Sequence, residues 1–197
     1  MNQDRKDRLR DAAVAVLAQA GGRGLTHRAV DAAAAVPEGT AKNYFPTRDA
    51  LLRAAAERCV EQYRALAESL AGAAGPGPAD ADGLAALLAG LLRNVAGPGR
   101  PRVLAYLELR TEAARRPWLA ALLDSVAAAD FTAYAHLLGA AGLPAGPEQA
   151  RSLTLALHGA IPHLLTGAPA TLAAAGMDDL DRFARGLLAT VCGEAAP

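Results

Sequence analysis

Aromatic side chains are scarce in this 197-residue chain: Phe, Tyr and Trp together make up 4% of it, and Trp118 is the only tryptophan. Ala and Leu abound instead, and 52% of the residues are hydrophobic, a mix that favours helix and is poor in the β-branched and aromatic residues that strands prefer. Cysteine is nearly absent. Cys59 and Cys192 stand far apart and belong to no Cys-x-x-Cys or Cys/His ligand spacing, so neither a disulfide framework nor a zinc site is suggested, and both read as buried, reduced thiols. Net charge is absent as well: 20 basic residues balance 20 acidic ones, which removes any global attraction to nucleic acid, membranes or acidic substrates. Long hydrophobic runs are missing too. Arg, Asp, Gly or Pro interrupts each one before the roughly 20 residues that span a bilayer, and no apolar leader resembles a signal peptide, so the expectation is a cytoplasmic protein with no membrane partner.

What is present is unevenly spread. Residues 1–58 hold ten basic and seven acidic side chains, and residues 59–197 hold ten and thirteen, so the positive excess lies at the N-terminal end. That is where phosphates would be met if only one end of the chain touches nucleic acid.

Helical periodicity punctuated by Gly and Pro predicts an all-α chain of about nine helices and no strand. Leu9, Ala13, Val16, Leu17 and Ala20 mark a first helix that Gly21 and Gly22 stop. Thr26 is placed to cap a short second helix to about Ala34. Gly39 and Thr40 open a third that ends at Phe45, and a long fourth runs from Arg48 to about Ala71 after Pro46 and Thr47. The stretch Ala71 to Ala79, AGAAGPGPA, has little to bury and reads as a poorly ordered connection. Five further helical segments follow at about 80–96, 101–115, 117–141, 147–166 and 178–192. The domain reading is 1–47 for a helix-turn-helix, 48–71 for a connecting helix and 80–197 for a ligand-binding and dimerisation domain.

Residues 25–52, LTHRAVDAAAAVPEGTAKNYFPTRDALL, carry the most information. Two short helices joined by a tight turn, packed on a first helix, form a tri-helical unit whose second short helix enters the major groove. Gly39 leaves the start of that helix bare, while Thr40, Lys42, Asn43 and Tyr44 place donors around it. The segment resembles the TetR family, whose members read approximately T-x-x-x-V-A-x-x-A-G-V-S-x-G-T-L-Y-x-H/Y-F-x-S-K-E-x-L-L. Thr26, Val30, Ala34, Val36, Gly39, Thr40, Tyr44, Phe45, Thr47, Arg48, Leu51 and Leu52 match or closely substitute. The chain departs from the pattern at Ala35, where the turn usually has Gly, at Pro37 in place of a Ser cap, and at Ala41-Lys42 in place of Leu-Tyr.

The resemblance implies a ligand-responsive regulator, by family habit a repressor, that binds a palindromic double-stranded operator as a homodimer. It also implies that Thr26, Thr40, Tyr44 and Arg48 anchor phosphates, that Lys42 and Asn43 read bases, and that Arg28 reaches either. An apolar or amphipathic small-molecule effector is expected to lie among helices of the C-terminal domain, near Tyr106, Trp118, Phe131, Tyr134 and His136. Arg110 falls at the centre of an apolar face and so needs a partner; an ion pair with Asp130 or a Glu is preferred to an anchor for an anionic effector. His158 and His163, five residues apart, do not share a helical face, so no metal is expected, nor any cofactor. Apolar arcs wider than one core face requires, with Leu153, Leu157, Ala160 and Leu164 on one segment and Phe183, Leu187 and Val191 on the next, point to a four-helix dimer interface. Two rival readings are a helical small-molecule-binding or scaffold protein without DNA binding, and an enzyme using Glu108, Arg110, Asp130 and His136. No phosphate loop, nucleophile elbow or metal spacing supports the enzyme.

Overall fold

A computed structural model of the chain describes residues 3–73 and 77–193. Among the described residues its regular elements are all helices, with no strand: α1 Gln3–Gly24, α2 His27–Ala33, α3 Thr40–Tyr44, α4 Arg48–Ala73, α5 Ala81–Ala96, α6 Arg100–Ala113, α7 Pro117–Ala140, α8 Pro147–Thr166, α9 Pro169–Ala174 and α10 Leu180–Cys192. Ten helices stand where nine were expected, the extra one being the six-residue α9, and α4 runs two residues past its expected end. Positions 74–76, the middle of the expected connection, lie outside the described residues.

The chain separates into two compact units, one of residues 1–67 and 101–126, the other of 68–100 and 127–197, so that α4 and α7 each contribute to both. In the first unit α1 turns Leu9, Ala13, Val16 and Leu17 inward, and these join Leu25, Val30, Ala41, Phe45 and Leu51 together with Leu109 of α6 and Leu119 and Leu123 of α7. Gly21, at φ 65 and ψ −176, breaks the helical path of α1 where the two glycines were expected to stop it. Charged side chains bind α1 to α4 along its length: Arg58 donates to both carboxylate oxygens of Asp11 at 2.7 and 2.9 Å, and Arg10 reaches Glu61 at 2.6 Å. The Arg10 and Arg58 hydrogen bonds hold the Glu61 carboxyl below its usual range against the opposing effect of burial.

The second unit packs Leu84, Leu88 and Leu92 of α5 against Tyr134 and Leu138 of α7, Leu153 and Leu157 of α8, and Ala184 and Leu188 of α10. Its helices start on side-chain caps where the sequence supplies them. Asp80 accepts from the Gly83 N–H at 2.8 Å and Asp179 from the Arg182 N–H at 3.0 Å. Cys59 is fully buried in the first unit and burial pushes its thiol up to about 12, whereas Cys192 in the second is only partly buried.

The end of α2 tests the Ala35 departure directly. The Val36 N–H reaches the Asp31 carbonyl and the Ala35 N–H the Ala32 carbonyl, both at 3.1 Å, the paired bonds of a helix terminus whose next residue is left-handed. Ala35 has φ 51, the only positive φ outside glycine among the described residues. A left-handed alanine costs about 1–2 kcal/mol, and glycine returns part of that as unfolded-state entropy. Ala35→Gly should therefore raise stability by about 0.5–1 kcal/mol, measured by chemical denaturation, with no change elsewhere; an unchanged or lower midpoint would mean the turn carries no strain.

Candidate nucleic-acid interface

Thr26 caps α2 as its sequence position suggests, its Oγ1 accepting from the Ala29 N–H at 3.1 Å. The second short helix is held by a residue that sequence reasoning passed over. Asp31 is 2% exposed, and its carboxylate accepts from the Gly39 N–H at 2.8 Å and the Ala41 N–H at 2.6 Å. One buried carboxylate thus joins α2 to the start of α3 and satisfies two of the amide donors that a helix start leaves open. His27 closes the other end, its Nε2–H donating to the Phe45 carbonyl at 2.6 Å. Phe45 is 4% exposed and fixes α3 to the core beneath it. With both ends and one face committed, α3 is a preformed element.

Its outer face carries Lys42 and Asn43, both exposed, with Arg28 exposed on α2. Gly39 has φ 88, and a Cβ built there meets nothing within 4 Å, so the entry to α3 is bare as expected. Its N–H, however, is spent on Asp31. Thr40 donates its hydroxyl to the Pro37 carbonyl at 2.6 Å, and Tyr44 is partly buried, its ring 6.4 Å from that of Phe45.

Arg48 has an internal role beside the one expected of it. Its guanidinium donates at 2.6 Å to the carbonyls of Leu25 and Gly22, where α1 ends. Those carbonyls lack helical partners, so the cation, which remains exposed, also braces α4 against α1. The Gly22 N–H in turn donates to Glu108 of α6 at 2.9 Å, and Arg116 links Asp49 at 2.7 Å with Glu112 at 3.3 Å. α6 is thereby bonded to the same junction that positions the helix-turn-helix.

The residues expected around an effector divide between the two units. In the first, Tyr106 lies 5.0 Å from Tyr63 between ring centroids, and Trp118 is partly buried under the Arg53 guanidinium at 4.2 Å. Arg110 does not sit in an apolar face. It is exposed and 3.7 Å from Asp124, while the buried face of α6 is Val103, Ala105 and Leu109. Asp130 is instead paired with His158 at 2.9 Å in the second unit. There Tyr134 is a core residue whose phenol burial pushes up, and Phe131 and His136 line an open groove of about 500 Å³ with Arg151 and Pro147. Among the described residues no group of three or more His, Cys, Asp or Glu could hold a metal ion, and no helix is long and apolar enough to cross a membrane.

A clamped helix-turn-helix with an exposed recognition face, followed by an apolar helical bundle, defines an all-α DNA-binding regulator. Residues 79–191 match the family described as the tetracyclin repressor-like C-terminal domain. No curated protein matches the chain. Among solved structures, a TetR-family member from Streptomyces coelicolor A3 is 29% identical, with 96% of this chain and 98% of that one covered and a TM-score of 0.67. The multidrug binding protein EbrR, solved with ethidium, is 32% identical over 97% of this chain and 99% of its own, with a TM-score of 0.65. A transcriptional regulator from a Rhodococcus species shares the fold at a TM-score of 0.75 and 21% identity, with 98% and 99% covered. The chain belongs to the TetR family of transcriptional regulators.

Proposed function

We propose that the protein is a ligand-responsive repressor that binds a palindromic operator as a homodimer and leaves it when a small amphipathic molecule binds. The observation that carries this reading is the pairing of a rigid α3 with an exposed Lys42-Asn43 face. With Arg48 and the Gly39 N–H committed internally, Lys42 and Asn43 read bases, Arg28 and the Thr26 hydroxyl contact phosphate, and Gly39 lets the DNA backbone come close. EbrR, solved with the planar ligands ethidium and proflavin, supports a flat, partly apolar effector here. The bond from Glu108 of α6 to Gly22, and the one from Arg116, which follows α6 and is paired with its Glu112, to Asp49 of α4, give an effector a route by which a shift of α6 changes the posture of the helix-turn-helix.

The dimer is assigned to α8 and α10, with a change of residues. Leu153, Leu157 and Ala160 face the unit's own core and are not free to meet a second copy, while Leu164, Phe183, Leu187 and Val191 are only partly buried against it. Leu155, 59% exposed, is the large hydrophobic residue that α8 leaves uncovered.

A mobility-shift titration on DNA upstream of the protein's own gene tests the operator reading. Lys42→Ala and Asn43→Ala should each weaken binding by about 1–3 kcal/mol per half-site without loss of helicity, as expected where a bidentate base contact is removed. A folded double variant that binds as tightly as wild type at matched salt would remove α3 as the reading helix.

A further inference from the structure

Arg102, on α6, carries a guanidinium N–H without an acceptor. Its Nε is buried and has no hydrogen-bond partner, and no carboxylate lies within ion-pair distance among the described residues. A guanidinium N–H removed from water without an acceptor costs stability, and native structures rarely keep one without a use. Its surroundings are ordered in a particular way. Arg102 and Tyr106 are four residues apart on α6, Cys59 and Tyr63 four apart on α4, so each pair shares one helical face. The two tyrosine rings lie 5.0 Å apart and tilted by 52°, and the Arg102 guanidinium stands 5.7 Å over the Tyr63 ring. Cys59, the neighbouring titratable group on that face, is fully buried, and its thiol stays neutral because burial pushes it up to about 12. It offers no counter-charge. Arg102, Tyr63 and Tyr106 are all only partly buried, so the cluster is reachable from outside while the Nε itself is dry.

We propose that Arg102 is the anchor for the anionic head of the effector, an aromatic or otherwise flat amphiphile bearing a carboxylate or similar group, whose body rests against the Tyr63 and Tyr106 rings. The assignment rests on the ligand-responsive reading above and gives it a chemical class. A carboxylate that enters with a local opening over Nε accepts from the planar guanidinium with two parallel bonds, supplies the missing acceptor, and cancels its charge. A flat ring adds stacking against the tyrosine faces. A neutral or cationic analogue of the same shape leaves the orphaned donor unpaired, so charge is the basis of discrimination.

The test uses the full-length protein and three probes that share one ring system: naphthoate, naphthamide and naphthylmethylammonium. By calorimetry, naphthoate should bind at least tenfold more tightly than either of the others. Arg102→Met should lose that preference and, because it deletes an unsatisfied buried donor, should raise the melting temperature of the ligand-free protein by about 2–4 °C. Arg102→Lys should keep the preference for the anion at reduced affinity. No naphthoate binding, equal binding of the amide, or an Arg102→Met variant that melts below wild type would each overturn the proposal, the last by making Arg102 a structural residue. Mobility shifts separate it from the broader reading: anion selectivity that depends on Arg102 in a protein that ignores its upstream DNA would sink the repressor and leave this site standing. DNA binding with an Arg102-independent response to naphthoate would do the reverse.

Discussion

Asp31→Ala should abolish operator binding and destabilise the protein by about 3 kcal/mol, although residue 31 is buried. The carboxylate is 2% exposed and accepts two backbone N–H bonds, at 2.8 and 2.6 Å, from opposite sides of the α3 start. Bonds to a charged acceptor contribute about 1.5–3 kcal/mol each, and the Ala41 N–H, being buried, finds no water when the acceptor goes. Alanine thus removes both bonds and leaves a donor stranded, and α3, five residues long, has too few internal bonds to hold its place alone. Asp31→Asn keeps one acceptor oxygen and turns an N–H donor toward another donor, so roughly half the loss should remain. Urea denaturation of the full chain and a mobility shift read the two effects together. Wild-type stability and affinity in a folded Asp31→Ala variant would show that α3 is held by Phe45 and His27 alone.

That residue also marks where sequence reading stopped. The helix boundaries were legible because Gly, Pro and Thr stand at them: Thr26, Gly39 and Gly21 each do in the structure what their chemistry suggests. Ala35 could be read as strained because the family pattern has Gly there. The same pattern has Ala at position 31 and Ser at position 37, where this chain has Asp and Pro. The cap lost at 37 is supplied from 31, but the two lie on different elements, and an Asp in a short polar helix reads alone as a solvated charge. The internal role of Arg48 was not legible for a related reason, since its partners there are carbonyls, which a sequence does not display. The Arg110 expectation fails because α6 is rich in small and amphipathic residues, so a wheel through Val103, Tyr106, Leu107, Ala113 and Ala114 centres an apolar face on Arg110, whereas the buried face runs through Val103, Ala105 and Leu109. α9 is too short to show a period, and only Pro169 at its first turn announces it.

Two leucines on α8, two positions apart, should respond to the same substitution in opposite ways. Leu157 is fully buried among Leu84, Leu88 and Leu188, so Leu157→Asp places an unpaired carboxylate in an apolar core, at a cost of several kcal/mol that should unfold the second unit. Leu155 lies about 200° around the helix, 59% exposed and beside glycine at position 159, where an added Cβ would meet nothing within 4 Å. An aspartate there is solvated in a single chain and harmless to its fold. In a two-fold symmetric pair it appears twice, because an isologous interface repeats every residue, and two carboxylates replace two apolar contacts. Leu155→Asp should therefore weaken association by about tenfold or more while leaving the circular dichroism melt of the monomer intact, which multi-angle light scattering across a dilution series can follow. Operator affinity should fall with it, since each half-site would then be bound separately. A Leu155→Asp protein that stays dimeric at every concentration would place the interface elsewhere than the exposed face of α8.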